Sequence, residues 1–127
     1  MVTSYIKLTQ LTPDDNKLTL EVVEARMPPK LDEMQSVVGG LIEPMFTVPS
    51  PEGGERMLTG YANEEGLLIG LPMLGWYQDE RGSFPFAGNM VITALDYSTG
   101  DTVTMTEKET EAVKTIWQDP VIALNML

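Results

Sequence analysis

Residues 31–48, LDEMQSVVGGLIEPMFTV, decide the fold because they place a short helix directly before a strand. Four apolar side chains share one face of the predicted helix: Leu31, Met34, Val37 and Val38. The pair Gly39-Gly40 supplies the left-handed residue that commonly ends a helix. Residues 40–48 then predict a strand, in which Pro44 indicates an edge position or a bulge because proline cannot donate to a β-ladder.

Toward the N-terminus, the sequence predicts a β-hairpin over residues 4–24. Partly alternating apolar residues occupy 4–11 and 17–23, and the turn-rich segment TPDDN at 12–16 separates them. Pro28-Pro29 then ends the second strand and leads into the helix.

Toward the C-terminus, residues 56–62 predict the strand that pairs with 40–48, across a loop at 50–55. Residues 63–66 predict a tight turn, and the segment 73–83 fits no single element. Apolar residues on both sides of Ala87-Gly88 predict one long strand over 84–95, and a loop follows at 97–101.

The last helix has the most specific local signal in the chain. Thr106 and Glu109 have the spacing of a capping box, in which each side chain bonds the backbone amide of the other residue. Four apolar residues follow at helical spacing: Ala112, Val113, Ile116 and Trp117. Asp119-Pro120 ends the helix.

Together these elements predict a single α+β domain, a mostly antiparallel sheet with a short central helix and a C-terminal helix. The strands are joined by hairpins and do not alternate with helices, which argues against a doubly wound fold. The length of 127 residues fits one domain. We divide it into an N-terminal hairpin (4–24), a central segment (28–117) and an apolar tail (120–127).

The tail is expected to be covered, because six of its last seven residues are apolar. Either it adds to the protein's own sheet, or it packs against a second copy across a two-fold axis. We favour the homodimer.

The net charge of the chain disfavours some classes of binding partner. The 19 Asp and Glu residues exceed the 8 Lys and Arg residues, and the net charge is -11, which disfavours direct binding to nucleic acid. No apolar run approaches the roughly 20 residues that span a bilayer, and residues 1–7 lack the basic region and apolar stretch of a signal peptide. We therefore expect a cytoplasmic protein without membrane contact. The acidity either keeps the protein soluble or directs it to a basic partner, for example by imitating DNA phosphates.

The amino-acid composition gives little support for an enzyme. Without histidine and cysteine, the chain cannot form a Ser-His-Asp triad, a Cys-His pair or a thiolate zinc site. No glycine-rich segment carries the Lys-Ser/Thr of a P-loop. We therefore predict a protein that is not an enzyme and needs no cofactor.

The segment Leu31–Glu43 resembles a signature of the small phage and bacterial family known as domain of unknown function 3846. In that family a Leu-Gln-x-x-Val-Gly-Gly-x-Ile-Glu segment precedes Asn-Glu-Glu-Gly and Gly-Leu-Pro, which are present here at 63–66 and 70–72. A Thr-capped acidic helix follows in both. The residues after Pro72 depart from the family's usual Asn-Arg, and the resemblance covers residues 28–117, which we take as a family-like core. By this resemblance the core is complete at Trp117, which is why we favour the homodimer. It implies a phage-encoded accessory protein and carries no known activity.

The polar residues of these motifs are our first candidates for a binding site: Gln35, Glu43, Asn63, Glu64 and Glu65. A purely structural interpretation places Gln35 on the helix surface and Asn63 in a left-handed turn. A second group combines Trp76 and Tyr77 with Arg81, since aromatic residues and arginine dominate binding hot spots. In the structural alternative, these aromatic side chains cover the core.

Our first functional hypothesis is a phage-encoded, non-catalytic acidic protein that binds a host protein and inhibits or diverts it, as an anti-defence protein or DNA mimic does. An alternative is a small-ligand binder that sequesters a nucleotide signal, for which Arg26, Arg56 and Arg81 are the only arginines. A third is a hydrolase whose metal is held by carboxylates alone. However, many acidic residues of this chain occur as adjacent pairs, and the two side chains of such a pair rarely converge on one ion.

Overall fold

The computed structural model describes residues 2–10, 18–65, 73–79, 82–87 and 89–116, with only the backbone at 10, 18–19, 73–79, 82–87 and 116. In chain order these residues form the following elements: β1 (Thr3–Gln10), β2 (Leu18–Glu24), α1 (Leu31–Val38), β3 (Ile42–Pro49), β4 (Arg56–Asn63), β5 (Met73–Asp79), β6 (Gly82–Ala87), β7 (Met90–Asp96), β8 (Asp101–Val103) and α2 (Glu107–Ile116). The predicted α+β class is confirmed, with the short central helix and the C-terminal helix in place. Neither of the helices described is long and apolar enough to cross a membrane.

Six strands form one antiparallel sheet in the order β2-β1-β7-β4-β3, with β8 paired to the end of β7. The central strand β7 pairs with both β1 and β4, and its residues 90–94 are all buried. The edge strands β2 and β3 carry the exposed residues Glu21, Glu24 and Glu43. Charged side chains on edge strands oppose pairing with other sheets.

Each face of this sheet is covered by one helix. On the α2 face, Val113 of α2 belongs to a buried cluster of sheet residues: Ile6, Leu8, Phe46, Leu58, Met90 and Ile92. On the opposite face, Met34 and Val38 of α1 pack against Tyr5 and Val91. The alternation of side chains along each strand therefore serves two cores, one under each helix.

The locally encoded predictions are confirmed. Gly39 is left-handed at φ 77°, and its N–H donates to the carbonyl of Gln35 at 2.8 Å, which ends α1. β3 lies at the sheet edge, and its register with β4 shifts between Pro44 and Phe46, so the edge and the bulge are both present. The N-terminal hairpin forms from β1 and β2.

The prediction of one long strand over residues 84–95 is wrong. Residues 82–87 form β6, which pairs with β5 in a separate two-stranded sheet, whereas β7 begins at Met90 in the main sheet. The residues on both sides of the break are similarly apolar, so apolarity does not show the change of sheet. Asn89 lies at the break, and its Nδ2 donates to the carbonyl of Val37 at 3.0 Å. That bond fixes the chain beside α1 where it enters the main sheet.

Two further differences concern short elements. The segment 73–83, which fitted no single element, contains β5 and the start of β6 as a hairpin. The predicted loop at 97–101 is a turn over its first four residues, but Asp101 already begins β8. A three-residue strand is too short for its periodicity to be recognised in the sequence.

Candidate functional site

A buried carboxylate, Glu109, connects three parts of the chain. Its side chain is 0% exposed and accepts hydrogen bonds from Arg56 Nη2 at 2.6 Å and Nε at 3.2 Å. Ser50 Oγ donates to the same carboxylate, and Arg56 Nη2 also donates to the carbonyl of Thr104 at 2.9 Å. We call these four residues the Glu109 cluster. It fastens α2 to the start of β4 and to the loop that precedes it.

Glu109 also completes the predicted capping box of α2. Its Oε1 accepts the N–H of Thr106 at 2.9 Å, and its own N–H donates to Thr106 Oγ1 at 3.1 Å. Burial raises the pKa of Glu109, but hydrogen bonds from Arg56, Ser50 and the Thr106 amide outweigh burial and hold the pKa below its ordinary value. The hydrogen bond to Glu109 in turn raises the pKa of Arg56.

The Glu109 cluster therefore contains a structural ion pair whose carboxylate is closed to solvent and whose guanidinium is partly exposed. Arg56 is one of the three arginines on which the nucleotide-binding alternative depends, and its guanidinium is engaged with Glu109. Sequence reasoning identified the capping role of Glu109 but missed its burial. A signal for it exists, because Glu109 lies four residues before Val113 and thus on the apolar face of α2.

The two motif segments of the resemblance meet at the C-terminal end of α1. Asn63 Nδ2 donates to the carbonyl of Val38 at 3.3 Å, and Asn63 Oδ1 accepts the N–H of Glu65 at 2.8 Å. Gly40 lies so close that a Cβ there would be 2.7 Å from Asn63 Nδ2. We call this contact between the end of α1 and the end of β4 the α1 junction.

The predicted polar candidates surround this junction. Asn63 is buried and ends β4, and since only glycines have positive φ in the described residues, it is not the left-handed residue of the structural interpretation. Gln35 is half-buried, and its carbonyl accepts hydrogen bonds at the end of α1. Glu64 and Glu65 are exposed in the following turn, and Glu43 is exposed on β3.

The aromatic candidates lie elsewhere. Trp76 and Tyr77 belong to β5, for which only the backbone is described, and Arg81 lies outside the described residues. They stay sequence-based predictions, as does the apolar tail at 120–127.

A groove of about 440 Å³ lies between α2 and the neighbouring strands β1 and β2. Its apolar lining comes from Val2, Val22 and Met105, and its acidic lining from Glu24, Glu107 and Glu111. Lys114 also lines it, from the second half of α2. We call this the α2 groove. None of the sequence-predicted site residues contributes to it.

The groove is electrostatically negative. Glu24 and Glu107 have no ion-pair partner among the described residues, and Glu111 pairs only weakly with Lys114, at 3.6 Å between Oε1 and Nζ. Lys114 is the one cationic residue identified in the lining. Across the described part of the chain, no three acidic side chains converge closely enough to hold a metal ion. The arrangement therefore offers carboxylates and apolar surface to a positively charged group.

Comparison with known proteins gives one match. A family model described as a domain of unknown function (DUF3846) matches residues 8–118. The match begins inside β1 and includes β2, so it is wider than the core of residues 28–117. No curated protein and no solved structure matches the chain.

Proposed function

We propose that this chain, which belongs to the DUF3846 family of unknown function, is a non-catalytic binding protein that inhibits or diverts a host factor by binding a basic surface of that factor. The α2 groove carries the proposal, because the described residues of its lining combine three carboxylates and apolar side chains with a single cation. The phage origin implied by the sequence resemblance is part of the proposal, and it makes a bacterial protein the partner.

The surface around the groove extends its negative field. Antiparallel registration places Glu24 beside Thr3, and Asp96 beside Asp101, at the same end of the sheet as the first turn of α2. Such a concentration of like charge attracts a basic partner over several Å and accelerates encounter. The same charges repel a phosphate backbone, which favours a protein partner over nucleic acid.

The internal pairing of Glu109 supports a binding role. Glu109 is the buried carboxylate among the described residues, and Arg56 neutralises it within the fold. The carboxylates that face solvent are consequently separate from those that hold the structure. Surface carboxylates can therefore be varied in a binding assay without disturbing the core.

A pull-down from a lysate of the bacterial host tests the proposal. The wild type is compared with the double variant Glu24→Gln/Glu107→Gln, which removes two charges from the α2 groove. The matched control is Asp32→Asn/Glu33→Gln, which removes two exposed charges from the first turn of α1, on the opposite face of the sheet. We expect a partner that is retained by the wild type and the control, is lost from the groove variant, and dissociates as salt is raised.

Two results would contradict the proposal. In one, no protein is retained by the wild type even at low salt. In the other, both double variants lose the partner equally, which would show that net charge alone, and not the α2 groove, determines retention. Circular dichroism of each variant checks that the fold is unchanged.

A further inference from the structure

We propose that the α2 groove anchors a single lysine or arginine side chain of the partner, and that Lys114 competes with that side chain from inside the groove. The inference rests on the proposed function and names the group that is recognised. It is argued from the composition of the lining and from the contacts of Lys114.

The lining matches an amphipathic cation. Lysine and arginine place a chain of methylene groups on apolar surface while the charged head stays polar. The groove supplies apolar contacts for the methylene groups from Val2, Val22 and Met105. Glu24 and Glu107, which lack an ion-pair partner in the described structure, supply acceptors for the head. A small inorganic cation would use only the second group of contacts.

The size of the groove is adequate for such a side chain. Its volume of about 440 Å³ lies within the range of roughly 300–1,000 Å³ that ligand pockets occupy. The neighbouring strand β2 is an edge strand of the sheet. A partner can therefore approach along β2 and insert one side chain while its backbone stays outside.

Lys114 lines the groove and pairs its ammonium group with Glu111, another residue of the lining. Its Nζ lies 3.6 Å from Glu111 Oε1, and the two side chains are 48% and 64% exposed. An exposed pair at this distance contributes little stability, so an incoming cation can displace it. While Lys114 is present, however, its charge opposes that cation. Removing it should therefore strengthen binding.

The test is a titration of the ¹⁵N-labelled full chain with two probes, followed by amide chemical shifts. Nα-acetyl-argininamide carries a guanidinium on a three-methylene stem, and methylguanidinium carries the same charge almost without a stem. We expect shifts at Val22, Glu24 and Glu107. Acetyl-argininamide should bind at least about fourfold more tightly than methylguanidinium, because burying one methylene group contributes a factor of about this size.

The competing role of Lys114 is tested with a charge-matched pair of variants. Lys114→Met and Lys108→Met remove the same charge from the same helix, but Lys108 is exposed outside the groove lining. The dissociation constant of acetyl-argininamide should be about threefold lower for Lys114→Met than for Lys108→Met, because a charge a few Å away acts strongly even in water. Equal effects of the two variants, or no shifts at the groove, would overturn the inference.

The two proposals fail in different ways. If the pull-down retains a partner through the groove but neither probe binds there, the protein has the proposed function and the side-chain anchor is wrong. If the probes bind in the groove as expected but no host protein is retained, the anchor stands as a cation site and the proposed function is wrong.

Discussion

Replacing Glu109 by glutamine is the perturbation whose cost the structure defines most directly. The substitution keeps the size of the side chain and one acceptor oxygen, but it removes the charge that Arg56 faces through two hydrogen bonds. The new amide also presents N–H groups toward a guanidinium that can only donate. The fold should lose stability although no cavity is created.

The magnitude follows from the exposure of the two partners. Removing one partner of a buried ion pair costs about 3–5 kcal/mol. Glu109 is 0% exposed, but Arg56 is 29% exposed, so water can solvate part of the charge that remains. We therefore expect the lower end of that range, about 3 kcal/mol. A domain of this size has about 5–15 kcal/mol of stability, so the variant should still fold.

Urea unfolding followed by circular dichroism measures this loss. With a slope of about 2 kcal/mol/M, a loss of about 3 kcal/mol lowers the midpoint by about 1.5 M. The control is Glu111→Gln on the same helix, which breaks an exposed pair and should cost under about 0.5 kcal/mol. The reasoning is refuted if the two substitutions have the same cost. The double variant Arg56→Met/Glu109→Met should be more stable than Glu109→Met alone, because no charge is left unpaired.

Acid should destabilise the fold partly through Glu109, because the pKa of Glu109 is lower in the folded protein than in the unfolded chain. Its contribution to the free energy of unfolding is present above the unfolded pKa and is lost as pH falls through the folded pKa. Urea midpoints measured from neutral to acid pH should therefore fall less steeply in Glu109→Gln. Gly60→Ala should cost about 1–3 kcal/mol in urea unfolding, since its Cβ would overlap the ring of Phe46, and adding Phe46→Leu should recover part of the loss. Gly40→Ala should displace Asn63 and so increase hydrogen exchange at the Glu65 amide. Deleting residues 120–127 should reduce the mass measured by light scattering from that of a dimer to that of a monomer. If the full-length and the truncated chains are both monomers, the predicted interface is wrong.

The features that the sequence predicted well are those determined within a few residues. The left-handed Gly39 and the reciprocal bonds of Thr106 and Glu109 depend on neighbours in the chain, so local patterns suffice to recognise them. The same holds for the hairpin of β1 and β2, whose turn signals separate two alternating segments. Fold class then followed from the order of these elements.

The features that the sequence did not reveal depend on distant contacts. Arg56 reaches Glu109 across 53 residues, and neither the capping pattern nor the helical spacing indicates which residue will pair with the buried glutamate. The change of sheet before Met90 depends likewise on Asn89 and its bond to Val37, 52 residues earlier. The α2 groove is assembled from β1, β2 and α2, so its acidic residues have no common motif.

The motif residues and the groove residues consequently have separate roles. Asn63 and Gly40 fit each other at the α1 junction, which accounts for the Gly-Gly and Asn-Glu-Glu segments through backbone geometry. The α2 groove lies at the other end of the sheet, and its residue Val2 precedes the family match at residues 8–118. Proteins can therefore share the junction, and with it the fold, while differing in the groove. On this argument, a partner identified for this chain should be transferred to a relative only where the residues equivalent to Glu24, Glu107 and Lys114 are present.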